Sequence, residues 1–248
     1  MTLAANLTFL FQPGQMWERI DAAADAGFSG IEILQPYDED PDDLRHTLEA
    51  AGPGLVLINT PEPAWDTGGR GYAAVPGAED TFRAGIETAL TFADAAACPR
   101  IHILAGLAEG TAARDAYLAN LAWAADRAPE MAFSIEPLNA LDQPGYFLND
   151  FDQAAEILDT LNRPNVGLQF DTYHAHRMTG DAAAVWSTHG KRTVHVQVAG
   201  QTRAAPGPDE VALMKRMRDD GYQGWIAAEY MPGDVTEDSL DWMGDFAP

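Results

Sequence analysis

This chain has a single cysteine, Cys98, which excludes an intramolecular disulfide framework and any cysteine-built zinc cluster. The thiol follows an alanine run and precedes Pro99, a setting that reads as a buried structural cysteine rather than a nucleophile. Positive charge is also scarce. There are 15 basic residues, only two of them lysines (Lys191 and Lys215), against 38 acidic ones, for a net charge of −23. Such a surface repels phosphate backbones and anionic lipid, so neither nucleic acid nor membrane is an expected partner. The acidity itself reads as solubility or adaptation to salt. No run approaches the roughly 18 apolar residues of a membrane span. Residues 3–11 lack a basic leader and contain Asn6 and Thr8, so they read as a first strand rather than a secretory signal. A cytoplasmic protein is expected.

What the chain does contain is a regular alternation. Short apolar runs at 4–11, 30–35, 55–60, 100–106, 131–137, 166–171, 193–199 and 225–230 read as strands. Alanine-rich amphipathic segments at 16–26, 41–51, 78–97, 111–128, 150–161, 181–189, 209–220 and 236–242 read as helices. Eight strands and eight helices in strict order, over 248 residues without a linker or low-complexity tract, predict one (β/α)8 TIM barrel spanning 1–248. The longest irregular stretches, 61–77, 138–149 and 200–208, follow strands three, five and seven. They therefore share one face, as loops closing over a small ligand would.

Candidate chemistry collects at that face. Glu136, Asp171, Gln197 and Glu229 lie near the C-terminal ends of strands five to eight, in MAFSIEPLN, VGLQFDTYH, TVHVQVAG and GWIAAEYMP. In a closed barrel they converge on the mouth where such folds keep their active sites. Taken singly, Glu136 could be salt-bridged to a rim arginine, and Asp171 or Glu229 could cap a turn. Three carboxylates and an amide oxygen together suit a hard divalent metal, magnesium or manganese. Strand alternation puts His195 and Gln197 on one face and Val194, Val196 and Val198 on the other. His195 and His102 read either as neighbours of the site or as hydrogen-bonded core histidines. His174, three residues after Asp171, is placed to touch a substrate oxygen, whereas His46, His176 and His189 look peripheral. Arg70, in GGRG, reads either as solvated or as a holder of substrate carboxylate.

The contexts IEPLN, QFDTYH, HVQVAG and AAEY resemble those of the hydroxypyruvate isomerase and 2-oxo-tetronate isomerase family, within the xylose-isomerase-like barrels. AANLTFLF, INTP, RGYAAVPG, IHILAG, PGYFLND and GYQGW extend the resemblance almost end to end. It implies a divalent metal, magnesium or manganese, held by Glu136, Asp171, Gln197 and Glu229. Glu136 and Glu229 would be the acid/base pair, which of them is acid and which base staying open. His174 and Arg203 correspond to substrate-contacting positions of related epimerases, and Arg70, Arg203 or a protonated His174 would hold the carboxylate. The implied reaction converts hydroxypyruvate to tartronate semialdehyde through a cis-enediolate. Isomerisation of a 2-oxo-tetronate and ketose 3-epimerisation use the same machinery and stay open, and a non-catalytic sugar-acid binding protein is the alternative from outside enzymology. The implied partner is a small anionic sugar acid, with room left for a homo-oligomer. Two departures stand out. Family members carry a Glu in the loop before RGYAAVPG, where this chain has Gly69. The segment QTRAAPGPDE after strand seven is shorter than its counterparts and lacks their acidic, tyrosine-bearing piece.

Overall fold

The computed structural model describes residues 2–246. Eight parallel strands close into one barrel in sequence order: β1 Thr2–Asn6, β2 Gly30–Glu32, β3 Gly54–Asn59, β4 Arg100–His102, β5 Ala132–Ile135, β6 Val166–Asp171, β7 Thr193–Val198 and β8 Trp225–Ala228. β8 returns to β1 in register, Ala4 against Ala227, so no strand edge is left unpaired. This is the fold the alternation predicts. Apart from β6, which ends at Asp171 as expected, the strands stop short of the C-terminal ends of the apolar runs. β1 stops at Asn6 because its carbonyl accepts from Phe9 and Leu10 N–H, and its side chain accepts from Thr8 N–H, turning residues 7–11 across the mouth.

Outside the barrel run α1 Met16–Asp25, α2 Pro41–Ala51, α3 Glu79–Ala95, α4 Gly110–Arg127, α5 Phe151–Leu161, α6 Thr172–Thr179, α7 Ala182–His189 and α8 Pro208–Asp219. Their starts carry the expected signals. Asp40 caps α2 by accepting from Asp42 and Asp43 N–H, with Pro41 at the first helical position, and Asp150 and Asp181 cap α5 and α7. α5 turns Phe151, Ala154, Ile157 and Leu161 inward, three or four residues apart, onto the outer face of the sheet.

Two expectations about helices are corrected. The connection from β6 to β7 holds two helices rather than one, because Asp171 ends β6 and at once caps α6 through Tyr173 N–H. The helix expected at 236–242 is instead two short 3-10 segments, Glu237–Ser239 and Asp241–Phe246, in a sequence crowded with acids and carrying a glycine.

The three long loops do share the C-terminal mouth. They contribute Trp65 and Arg70, then Leu138, Asp142 and Gln143, then Arg203, to one cavity. The first loop is held by an antiparallel bridge between Gly71 and Ala105. Gly71 has φ +95° with its Cα packed onto the Leu104 carbonyl, a close approach open only to glycine.

Candidate active site

The barrel interior beneath the mouth is polar. In place of layers of branched aliphatics, Asn6, Glu32, Ser134, Gln169, His195 and Gln197 lie side by side with no exposed surface. Each must find a partner, since a buried polar group without one costs about 1–3 kcal/mol. Asn6 donates to Glu32 Oε2 at 2.9 Å and to Glu229 Oε2 at 3.0 Å. Gln197 Nε2 donates to Glu32 Oε2 at 3.0 Å and also to Glu229. Gln169 Nε2 bridges Gln197 Oε1 at 2.8 Å and Glu136 Oε2 at 2.9 Å, while Ser134 donates to Gln169 Oε1 at 2.8 Å. His195 Nε2 pairs with Glu32. His195 and Gln197 thus face the barrel axis, as strand alternation predicts. His195 is a hydrogen-bonded core histidine, the plainer of its two readings.

Above this layer, Glu136, Asp171 and Glu229 are all buried at the mouth. They come from the ends of β5, β6 and β8 as the sequence suggests, Glu136 and Glu229 one residue past their strands. Burial, with Glu229 and Asp171 nearby, pushes the Glu136 carboxyl well above its ordinary range. Burial likewise raises Glu229 to about 8 and Asp171 to about 6, with Arg203 pulling both back. Arg203 stands on the loop after β7 at φ +59° and pairs with Glu229 Oε1. Its guanidinium lies 5.0 Å from the centre of the Phe9 ring and 4.8 Å from that of Tyr173. Its own pKa is lowered by burial but raised overall by Glu229, Asp171 and Glu136. Its charge falls on all three acids.

The acids differ in how they are satisfied. Both Glu229 oxygens are occupied, one by Arg203 and the other by Asn6 and Gln197. Asp171 Oδ1 caps α6 at 2.7 Å from Tyr173 N, so the turn-carboxylate reading of Asp171 is correct for that oxygen. Its Oδ2 is buried without a hydrogen-bond partner. That orphan faces His174 Nε2 at 3.7 Å, which is also 4.0 Å from Glu136 Oε1. Ligand atoms of Glu136, Asp171 and His174 lie within 4.8 Å of one another, close enough to hold a metal ion. The donor set, rich in carboxylate oxygen and carrying one unsatisfied buried oxygen, fits a hard divalent cation. His174 Nδ1 accepts from Asn139 N–H at 3.0 Å, so in the neutral, metal-free ring Nε2 carries the proton and is a donor, a proton it would have to lose to act as a ligand. Burial and Arg203 lower His174 to about 3, which with the Nδ1 acceptor geometry favours the neutral ring.

His102 and Arg70 complete the mouth. His102 Nδ1 lies 3.1 Å from Asn59 Oδ1, while Nε2 has no partner, and burial lowers the ring to about 3. Arg70 Nη1 donates to the carbonyls of Gly69 at 2.6 Å and Trp65 at 3.1 Å, and the guanidinium stacks 4.4 Å from the Trp65 ring centre. Held this way, Arg70 is not freely solvated. With Phe9, Tyr173, Arg203 and the acids, these side chains line a cavity of about 460 Å³.

Three residues escaped the sequence reading. Glu32 stands between two outward isoleucines in GIEI, and that lone acid in a strand was the available signal. Gln169 had a similar signal in VGLQFD, two residues before Asp171. Glu62 is the most informative. It is buried and accepts from Ala64 N–H at 2.8 Å and Gly71 N–H at 2.7 Å. A Cβ at Gly69 would sit 2.5 Å from Glu62 Oε1. Glycine at position 69 thus leaves room for the carboxylate that reaches this spot from position 62.

The xylose isomerase-like TIM barrel family model matches residues 20–246. The 2-oxo-tetronate isomerase of Cupriavidus necator is 38% identical over 250 residues, covering 97% of this chain and 96% of that protein. The hydroxypyruvate isomerase of Escherichia coli is 32% identical over 256 residues, covering 99% of each. Among solved structures, one from Brucella melitensis described as an AP endonuclease of family 2 superposes with TM-score 0.94 at 36% identity over the full length of both chains. By these matches the chain is an isomerase enzyme and belongs to the xylose isomerase-like TIM barrel family.

Proposed function

We propose that the barrel mouth isomerises a small 2-oxo acid, hydroxypyruvate to tartronate semialdehyde, with Glu136 and Glu229 as the acid/base pair. The observation that carries this reading is the pair itself. Two carboxyls are buried at one mouth, Glu229 raised by burial to about 8 and Glu136 pushed well above its ordinary range by burial and its acid neighbours, which suits a pair that takes up and hands on a proton. In the forward direction one carboxylate takes a proton from C3. The resulting cis-enediolate receives a proton at C2, and the C3 hydroxyl proton is transferred so that the C2 oxygen ends as hydroxyl and the C3 oxygen as aldehyde. Atoms and charge balance with no oxidant.

The neutral rings are suited to the oxygens. His174 presents Nε2–H toward the acids as a donor, and His102, whose Nδ1 donates to Asn59 Oδ1, offers an unpartnered Nε2 to the same cavity as an acceptor for a substrate hydroxyl. Arg203 and Arg70 line that cavity too and would hold the substrate carboxylate, offsetting the repulsion of a chain at −23. Glu136, Asp171, Gln197 and Glu229 would hold a divalent cation, magnesium or manganese, which would stabilise the negative charge that develops on oxygen. To join that set, Gln197 must turn its carbonyl from Gln169, and Glu229 must release Arg203.

Isomerisation of a 2-oxo-tetronate is the second reading, favoured by the 38% identity to the Cupriavidus necator enzyme. The endonuclease description of the Brucella melitensis structure does not carry over. A chain of 38 acids and 15 bases, at a net charge of −23, repels a DNA backbone. Metal-supplemented protein incubated separately with hydroxypyruvate, a 2-oxo-tetronate and a ketose panel tests the reading. Turnover of the first supports it, turnover of the second alone moves the substrate assignment, and inertness to all contradicts it.

A further inference from the structure

The other end of the barrel holds a larger cavity, about 650 Å³, formed where β4 and β7 begin and where the chain approaches β8. Its lining is unlike the rest of this surface. Arg100, Lys191 and Arg216 meet there, three of only 15 basic residues in the chain. Arg216 and the Trp186 indole share Asp220, whose Oδ2 lies 3.6 Å from Arg216 Nε and 2.9 Å from Trp186 Nε1. The other two cations are free. Among the described residues neither Arg100 nor Lys191 has an ion pair or a side-chain hydrogen bond, although acids outnumber bases by more than two to one.

Arg100 is the sharper anomaly. It is partly buried, and desolvation lowers its pKa. The groups that act on it from a distance supply little countercharge. Burial raises the Tyr222 phenol and the Cys98 thiol, keeping both neutral, and Glu32 is already engaged by His195, Gln197 and Asn6. A half-buried guanidinium that no acid partners leaves its charge and its fork of donors available to an anion entering the cavity. The walls are built as well. A Cβ at position 190 would lie 2.8 Å from the Trp186 ring, and one at 224 would collide with the Tyr222 hydroxyl. Glycine at both places lets the two rings close the side of the cavity, meeting edge to face at 5.8 Å.

We propose that this cavity is a second ligand site, taking a small organic oxyanion, phosphate or carboxylate, held by Arg100 and Lys191 with its carbon skeleton against Trp186 and Tyr222. The guanidinium fork suits either anion, and the volume lies within the range of metabolite pockets. The site is independent of the chemistry assigned to the mouth.

Titration of ¹⁵N-labelled protein with inorganic phosphate and, separately, acetate at constant ionic strength tests it, read at the Trp186 indole resonance assigned with Trp186→Phe. A saturable shift is expected. The midpoint should weaken about tenfold or more in Lys191→Ala and in Arg100→Lys, which keeps the charge but loses the fork. Arg203→Met, at the opposite mouth, should leave it unchanged. Response to phosphate alone, to acetate alone or to both names the anion class. If neither anion shifts the resonance, or if Lys191→Ala and Arg100→Lys titrate like wild type, the proposal is overturned. Lys191 is exposed, so Lys191→Ala carries the test even where Arg100→Lys disturbs the fold.

Discussion

Arg203→Met should destabilise the metal-free protein in a strongly pH-dependent way. In the intact protein the guanidinium pairs with Glu229 and faces Asp171 and Glu136, all buried. Folding raises Glu229 from 4.5 to about 8. Its favourable contribution is therefore complete below about pH 4.5 and is lost as pH rises through 8, where the ionised form must be buried. Arg203 limits that loss. At about pH 9, removing it strands a buried carboxylate, which costs about 3–5 kcal/mol. For a chain of this size 1 kcal/mol is about 2–4 °C, so Tm should fall by roughly 6–20 °C. At about pH 6 Glu229 carries a proton. A hydrogen bond, the stacking on Phe9 and Tyr173 and part of the attraction to Asp171, itself raised to about 6, are then lost, about 1–2 kcal/mol or roughly 2–8 °C. Magnesium should narrow the gap at high pH by placing another cation among the same acids. Thermal melts of both proteins at the two pH values, with EDTA and with magnesium, measure this. Equal losses at the two pH values, or a gap that magnesium leaves untouched, would refute the role of Arg203 as the counter-cation of the acid cluster.

Other consequences follow from the same geometry. Gly69→Ala should cost about 1–3 kcal/mol through its clash with Glu62, and Glu62→Ala/Gly69→Ala should lose less than the sum of the single changes in urea melts. Arg70→Ala should raise KM with little change in kcat, whereas Glu136→Gln should lower kcat by about 10²–10⁴. Steady-state kinetics separate the two, and equal effects on both parameters would remove Arg70 from substrate binding. Cys98, buried and raised to about 12, should resist thiol reagents in the folded protein at about pH 8 and react promptly in urea. Because folding raises this thiol from 9.0, its contribution to stability is complete below about pH 9 and declines toward 12.

The barrel and its upper ring of acids were legible because their signals are local. An apolar run that turns polar at its end marks a strand and its mouth residue together, as at Glu136, Asp171 and Glu229. Gln197 was legible because strand period two sets it apart from three valines. The layer below was not legible as a network. Glu32 meets His195 and Gln197 across sequence separations of 163 and 165 residues, and a lone acid in GIEI does not say which partners offset its burial. The contact between Gly69 and the Glu62 carboxylate was hidden for the same reason, since only folding shows that the two positions address one point in space. α6 was missed because Thr172–Thr179 is short, rich in Thr and His, and follows β6 with no loop to announce it. The residues at 236–242 misled in the other direction: their acids mimic a helix start, but the segment relaxes into 3-10 turns.

The central claim, that Glu136 and Glu229 move a proton between adjacent carbons of a 2-oxo acid, is tested most directly by solvent exchange. Magnesium- or manganese-supplemented protein is incubated with hydroxypyruvate in D₂O, and the C3 protons are followed by NMR beside Glu229→Gln. The account predicts loss of the C3 signal and appearance of tartronate semialdehyde with wild type, and neither with the variant. Wild-type protein that leaves the C3 protons in place, or a Glu229→Gln protein that exchanges them at the wild-type rate, would contradict it.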